Sequence, residues 1–495
     1  MLCELGRPGG GPRIDELKRT SVCKRSPDVQ TYFHDSHMVR ISITTSFRPR
    51  GVIITRLESF LPKPGTRILS SVRACNHNRH FSSRIPLPPL FKMDSKLASI
   101  IEQVKVDIIT PTQQYDNARQ LEEVSRTFIS DTITVPTKEM FAYAVQTSLG
   151  DDVYNEPSTI ALEAHIAKLT GKEAALFVSS GTMGNQLAIR THLQQPPNSI
   201  ICDVRAHINK YEAGGAAIHS GALQNALTPK NGHHLTLKDI EPHVVFGTDV
   251  HSAPTRIICL ENTLNGTIMP QSDIIEIADF ALKNDILMHL DGARLWHVAA
   301  ETRTPIDELC APFDSVSLCF SKGLGAPVGT CLVGPKPFIQ KARWFRKIFG
   351  GGMRQTGVLA GSVAYALTHN FPLLPRVHAL AKRLQAGLEG LQVGILSPAE
   401  TCMVFYDPST IGVEYWEIID RAAALPNPIS LTGSRLVVHI QTSPKAVEDF
   451  LLLIRTLKEE KVQAGIVPSP INSDGMRNVY VRATRPSHPP DDSTH

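Results

Sequence analysis

The chain has 495 residues, 20% of them charged and 42% hydrophobic, and a formal net charge of +4. This is the balance of an ordinary globular protein with length for two or three domains, and no apolar run reaches the roughly 18–20 residues of a membrane-spanning helix. The charge is uneven: residues 1–92 hold 16 Lys and Arg against six Asp and Glu, so the remainder is mildly acidic and lacks the basic stripe that nucleic-acid binding requires.

The first 92 residues are rich in Arg, Ser and Pro and show neither helical nor strand periodicity. A targeting segment, a loose arm or an upstream extension ahead of Met93 all fit. Glu4, Asp15 and Glu16 speak against a transit peptide, because such peptides avoid acidic residues. From residue 93 to about 370 the pattern alternates between short apolar runs and helical periodicity. Ala174–Val178 reads as a strand, followed by the turn SSGTMGN and a helix from about Gln186. Ile257–Leu260 reads as a buried strand, Asp273 and Glu276 as a capping pair opening a helix, Asn284-Asp285 as its stop, and Ile286–Leu290 as the next strand. Strand, crossover helix and strand imply a mainly parallel sheet with helices on both faces. About seven such strands are expected between Ala174 and Val333. From 371 to 466 a helix, short strands and a further helix over Val447–Lys458 suggest a smaller α+β domain, and 467–495 reads as a loose tail. The nine cysteines are scattered, odd in number and form no CxxC pair. That argues against a disulfide framework or a zinc site, so no metal is expected. It also favours a reducing compartment, the cytoplasm ahead of the mitochondrion.

Four local patterns can carry chemistry. Ser180, Gly181 and Thr182 form a polar turn running into a helix, whose backbone N–H groups and dipole suit a phosphate; an ordinary strand-to-helix turn looks the same. Lys322, in SKGLG at a strand's end, can approach a small aldehyde closely and act as a Schiff-base former, although most such lysines are surface residues. Asp291, after the Ile286–Leu290 run, can keep a pyridine nitrogen protonated, with Arg294 near enough to assist a substrate carboxylate; a helix cap and a structural arginine are the plain alternatives. His207 can stack on a ring and serve as a base, but with 19 histidines in the chain a structural role is common. Their order is informative: phosphate turn, histidine, aspartate, then lysine about thirty residues later, then an arginine in the smaller domain.

These residues sit in the motifs SDTITVPTKEM, GDDVYNEP, GKEAALFVSSGTMGNQ, AHINKYEAGGAA, LENTLNGTIMP, LHLDGAR, SKGLGAPVGT and GGGMRQTG. From about Ser130 to Ala360 the chain resembles the low-specificity L-threonine aldolases, β-eliminating-type enzymes of the fold-type I pyridoxal-phosphate class. The resemblance implies an aspartate-aminotransferase-like large domain with a smaller C-terminal domain. It also implies pyridoxal 5'-phosphate as cofactor and cleavage of L-threonine, L-allo-threonine or a related β-hydroxy amino acid to glycine and an aldehyde. It assigns Lys322 to the cofactor, Asp291 to the pyridine nitrogen, His207 to stacking, and Ser180, Gly181 and Thr182 to the phosphate. Ser130 and Arg435 become substrate-carboxylate contacts with Arg294 nearby. His251 becomes a second histidine near the substrate side chain, and Lys347 and Arg354 basic positions close to the site. It further implies a homodimer or homotetramer with shared active sites and a small amino-acid substrate as the partner, with neither nucleic acid nor membrane. Ile129 and Val135 replace basic residues of the family pattern beside the site. The family also includes fungal alanine racemases, which the core motifs do not separate, so an amino-acid racemase is the alternative activity. A non-catalytic protein of the same fold would have no need to keep Lys322, Asp291, His207 and Arg435 together.

Overall fold

The computed structural model describes residues 95–106 and 117–471. The expected extension over 1–92, and the tail beyond residue 471, lie outside the described residues. The helix Ser95–Val104 belongs to a unit of its own. The unit that begins at Lys105 holds everything described below.

Seven strands form its main sheet: β1 (Ala174–Val178), β2 (Asn198–Asp203), β3 (Ala222–Leu227), β4 (Thr255–Glu261), β5 (Leu287–Gly292), β6 (Ser315–Cys319) and β7 (Thr330–Gly334). Their order is β1-β7-β6-β5-β4-β2-β3. β3, β2, β4, β5 and β6 pair in parallel, whereas β7 is antiparallel to both β6 and β1. The two reversals cancel, so β1 points the same way as β5 and β6, and its carboxyl end reaches the same edge of the sheet. Every residue of β2, β6 and β7 is buried, as strands covered by helices on both faces must be.

Sequence and structure differ at element ends. β5 runs on through Asp291, so the aspartate is the strand's penultimate residue and not its successor. The helix after β1 begins at Gly181 and not near Gln186, because the Ser180 side chain caps it by accepting from Met183 N. The helix Gln271–Lys283 starts after Pro270, without a side-chain cap. Asp273 lies inside its first turn, and its carboxylate is 2.6 Å from His234 Nε2. Asn284 does end that helix, with Asp285 in the left-handed region.

A second core surrounds three antiparallel strands, β8 (Gly394–Ser397), β9 (Met403–Asp407) and β10 (Arg435–Val437), in the order β10-β9-β8. The helices Leu374–Gly390 and Pro444–Gln463 cover it, burying Val377, Leu384, Phe450 and Ile454 against Phe405 and Tyr406. Phe128 is buried there as well, although it precedes the main sheet in sequence. Its N–H donates to Ser430 O (2.8 Å), and its carbonyl accepts from Val437 N (2.9 Å). This stitch brings Ser130 beside Arg435. Among the described residues no helix is long and apolar enough to cross a membrane.

Candidate active site

A cavity of about 270 Å³ opens at the carboxyl edge of the main sheet. Ser180, Gly181, Thr182, His207, Asp291 and Lys322 all line it, along with Thr132, Asn185, Cys319 and Ser321. Four elements supply them. The helix Gly181–His192 points its amino end at the cavity, and its first turn offers N–H groups with no intrahelical acceptor. It can lie this close to the sheet because residue 184 is glycine: a Cβ there would overlap the Ser317 hydroxyl. β5 supplies Asp291. The loop after β6 supplies Lys322, whose carbonyl accepts from Gly325 N (2.9 Å). The short helix His207–Lys210 after β2 supplies His207.

Asp291 is 5% exposed. Its Oδ1 accepts from Ala293 N (3.0 Å) and its Oδ2 from Asn185 Nδ2 (2.7 Å). His207 is anchored twice. Its backbone N–H donates to Glu261 Oε2 (2.8 Å), and its ring Nδ1 is 2.8 Å from Glu212 Oε1. Burial opposes a charged His207 ring, but the Glu212 hydrogen bond and the Asp291 charge outweigh it and raise the pKa above the ordinary value. Burial and the neighbouring Asp291 push the Glu261 carboxyl up to about 8. The edge is rich in acidic side chains, facing one lysine and one imidazole.

The expected carboxylate contacts gather around residues 129–132. Ser130 caps the short turn Asp131–Ile133 by accepting from Thr132 N (3.1 Å). Arg435 Nη2 reaches the Ile129 carbonyl at 3.4 Å. Arg294 is committed on one side to Asp131. Its Nε and Nη2 donate to Asp131 at 2.8 and 2.6 Å in a buried bidentate pair. That uses one edge of the guanidinium and leaves Nη1 on the other. Ser130, Arg294 and Arg435 flank the cavity without lining it, and three further expected residues stand at exposed positions off the lining. His251 is 87% exposed and turned to Asp249 Oδ1 (2.9 Å); Arg354 is exposed and pairs with Asp151; Lys347 is exposed at the end of the helix Lys336–Ile348.

Sequence reasoning gave no role to Asn185, Glu212, Glu261 or Asp131. All four stand in or beside the quoted motifs. Local polarity was a signal for two of them: Glu261 ends an apolar strand and Asn185 is a buried polar residue of the helix Gly181–His192, whereas Glu212 and Asp131 stand in a loop and a short turn.

The residues present fit pyridoxal 5'-phosphate. The capped helix end offers N–H donors and hydroxyls for a phosphate, and the buried Asp291 carboxylate and the primary amine of Lys322 line the same cavity.

Comparison with known proteins places the chain in a family. Residues 127–410 match the Beta-eliminating lyase family. A probable low-specificity L-threonine aldolase of Schizosaccharomyces pombe is 47% identical over 345 residues, 69% of this chain and 90% of that one. The aldolase vrtJ of Penicillium aethiopicum is 44% identical over 70% of this chain and 88% of its own. The alanine racemase TOXG of Cochliobolus carbonum is 39% identical over 65% of this chain and 84% of its own. Among solved structures, a threonine aldolase of Leishmania major superposes with a TM-score of 0.58 at 20% identity, over 67% of this chain and 99% of that one, and a serine palmitoyltransferase of Sphingomonas wittichii with 0.52 at 18%, over 69% and 88%. The chain belongs to the β-eliminating lyase family, in its low-specificity L-threonine aldolase group.

Proposed function

We propose that this protein is a pyridoxal-phosphate-dependent aldolase that reversibly cleaves L-threonine, L-allo-threonine or a related β-hydroxy-α-amino acid to glycine and an aldehyde. The observation that carries the reading is the meeting of Lys322, Asp291, His207 and a capped helix end in one cavity, in a chain 47% identical to a probable threonine aldolase. The bound cofactor supplies an electron sink for the bond that breaks at the substrate's Cα.

The protein's share is placement and proton handling. Lys322 holds the cofactor. The amino end of the helix Gly181–His192, with Ser180 and Thr182, takes the phosphate, and Asp291 holds the ring nitrogen protonated. Ser130, Arg435 and the free edge of Arg294 take the substrate carboxylate, which fixes the side chain's direction. His207 then accepts the β-hydroxyl proton as the Cα–Cβ bond opens. His251, Arg354 and Lys347 lie off their own chain's cavity at exposed positions. This supports a homodimer or homotetramer in which they serve a neighbouring subunit's site. The six described cysteines are buried free thiols, in keeping with the cytoplasm. In domain terms the reading takes 93–370 as the cofactor-binding part and 371–466 as the smaller part.

Asp291→Asn tests the assignment. Release of glycine from L-threonine is expected to fall by about 10²-fold or more at unchanged fold, and a near-normal kcat would reject it. Racemisation of alanine is the second reading, favoured by the 39% identity to TOXG.

A further inference from the structure

Between the helix Gly181–His192 and strands β5 and β6, beneath the cavity, runs a line of buried polar side chains that the aldolase reading leaves without a role. Periodicity puts them there. Asn185 and His192 are two helical turns apart and share one face; His289 and Asp291 are two residues apart on β5 and share another. Ser315 of β6 stands opposite His289 in register.

The direction of each hydrogen bond follows from the carboxylates, which only accept. Glu212 Oε1 lies 2.8 Å from His207 Nδ1 and 2.9 Å from Asn185 Nδ2, and Oε2 lies 2.6 Å from Gln186 Nε2. Asn185 Nδ2 also lies 2.7 Å from Asp291 Oδ2. The Asn185 amide nitrogen thus faces two carboxylates and uses both its N–H bonds on them, so its orientation is fixed. Asn185 Oδ1 must then accept from His289 Nε2 (3.2 Å). His289 Nδ1 is left bare to accept from the Ser315 hydroxyl (2.9 Å), whose oxygen accepts from His192 Nε2 (2.8 Å). From His192 to Asp291 every donor points toward the cavity, while His207 Nδ1 donates away from it to Glu212.

We propose that Glu212 and Asn185, backed by His289, Ser315 and His192, are positioning residues that hold His207 with its proton on Nδ1 and a bare Nε2, and hold Asp291 as a fixed carboxylate. The role of that bare nitrogen rests on the aldolase reading; the proton placement itself does not. A proton on Nε2 instead would leave His207 unable to accept the substrate's hydroxyl proton. The groups facing the ring are Glu212, Asp291, Lys322, the Glu261 carboxylate bound to its backbone N–H, and the Tyr211 ring at 5.6 Å. Burial lowers His192 to about 3 and His289 to about 4. Both remain neutral in the working range, so the direction of the chain does not reverse with pH.

The test is ¹⁵N NMR of histidine ring nitrogens in the pyridoxal-phosphate-loaded enzyme, wild type and Glu212→Gln. Above pH 8 the wild type should show His207 protonated on Nδ1, with His289 and His192 protonated on Nε2 and unchanged from pH 5 to 9. In Glu212→Gln the His207 titration should move down by about one pH unit. The acid limb of kcat/KM should move with it, and its plateau should fall about 10²-fold. Ring assignments that hold while no glycine forms from threonine would support the positioning chain and reject the aldolase reading. His207 protonated on Nε2, His289 protonated on Nδ1, or a His207 titration unmoved by Glu212→Gln would overturn the proposal. If Glu212→Gln does not fold, the wild-type tautomers decide alone.

Discussion

Lys322 and the Asp131–Arg294 pair pose different questions at the scale of single residues. In the proposed function Lys322 is a chemical requirement. Lys322→Ala should fold and should lose the borohydride-reducible visible chromophore; a purified variant that keeps it would move the anchor elsewhere. The Asp131–Arg294 pair is a stability requirement. Burial alone would raise the Asp131 carboxyl, but Arg294 outweighs it and holds the pKa well below the usual carboxylate range. A depressed folded-state pKa means that the pair's stabilisation is complete above about pH 4, the unfolded value, and is lost as acid carries the pH down toward the folded one. Asp131→Asn, which leaves a buried arginine unpaired, should cost about 3–5 kcal/mol at pH 7. Denaturant midpoints of variant and wild type should converge steadily below pH 4, and a gap that stays constant into acid would contradict this account of the pair. Both residues stood in legible motifs, but only one partner of the ion pair was singled out. Arg294 announced itself beside Asp291, whereas Asp131 is 163 positions away in sequence and nothing local ties the two.

Helices and strands were legible where local chemistry decides. Ala174–Val178 is a strand over the expected residues, because five apolar residues between polar turns can only be buried as one. The crossover from β4 to β5 was equally plain from its helical spacing. The helix start at Gly181 was missed by about five residues, since SSGT reads as a turn until the Ser180 cap is recognised. The antiparallel β7 was not foreseen: its five buried residues look like any parallel core strand, and direction is set by tertiary pairing. The close approach of the helix Gly181–His192 to β6 yields an element-scale prediction. Gly184→Val should push this helix off Ser317 and Thr330, lowering stability by about 1–3 kcal/mol and weakening retention of pyridoxal phosphate. Unchanged melting and unchanged cofactor affinity would show that the helix has slack there.

For the whole molecule, the two cores meet through the segment carrying Phe128, Ser130 and Asp131, which starts in the smaller core and ends on Arg294 of the larger. Sequence order hid this, because residues 126–129 precede the main sheet but pair with Ser430 and Val437. His251, Arg354 and Lys347 do not line their own chain's cavity; in the proposed assembly they serve a neighbouring subunit's site. Hybrids test that directly. Subunits bearing Lys322→Ala and subunits bearing Arg354→Ala, each poorly active alone, should regain activity when co-assembled, because one intact site forms per pair; activity equal to the sum of the parents would place Arg354 outside the shared site. The central claim concerns which bond at Cα breaks. The decisive measurement follows glycine and acetaldehyde from L-threonine and L-allo-threonine alongside D-alanine from L-alanine, on one preparation of the loaded enzyme. The account predicts rapid glycine release, with L-allo-threonine cleaved at least as fast as L-threonine, and only slow exchange at the Cα of alanine. D-alanine appearing much faster than glycine would contradict it and make the protein a racemase.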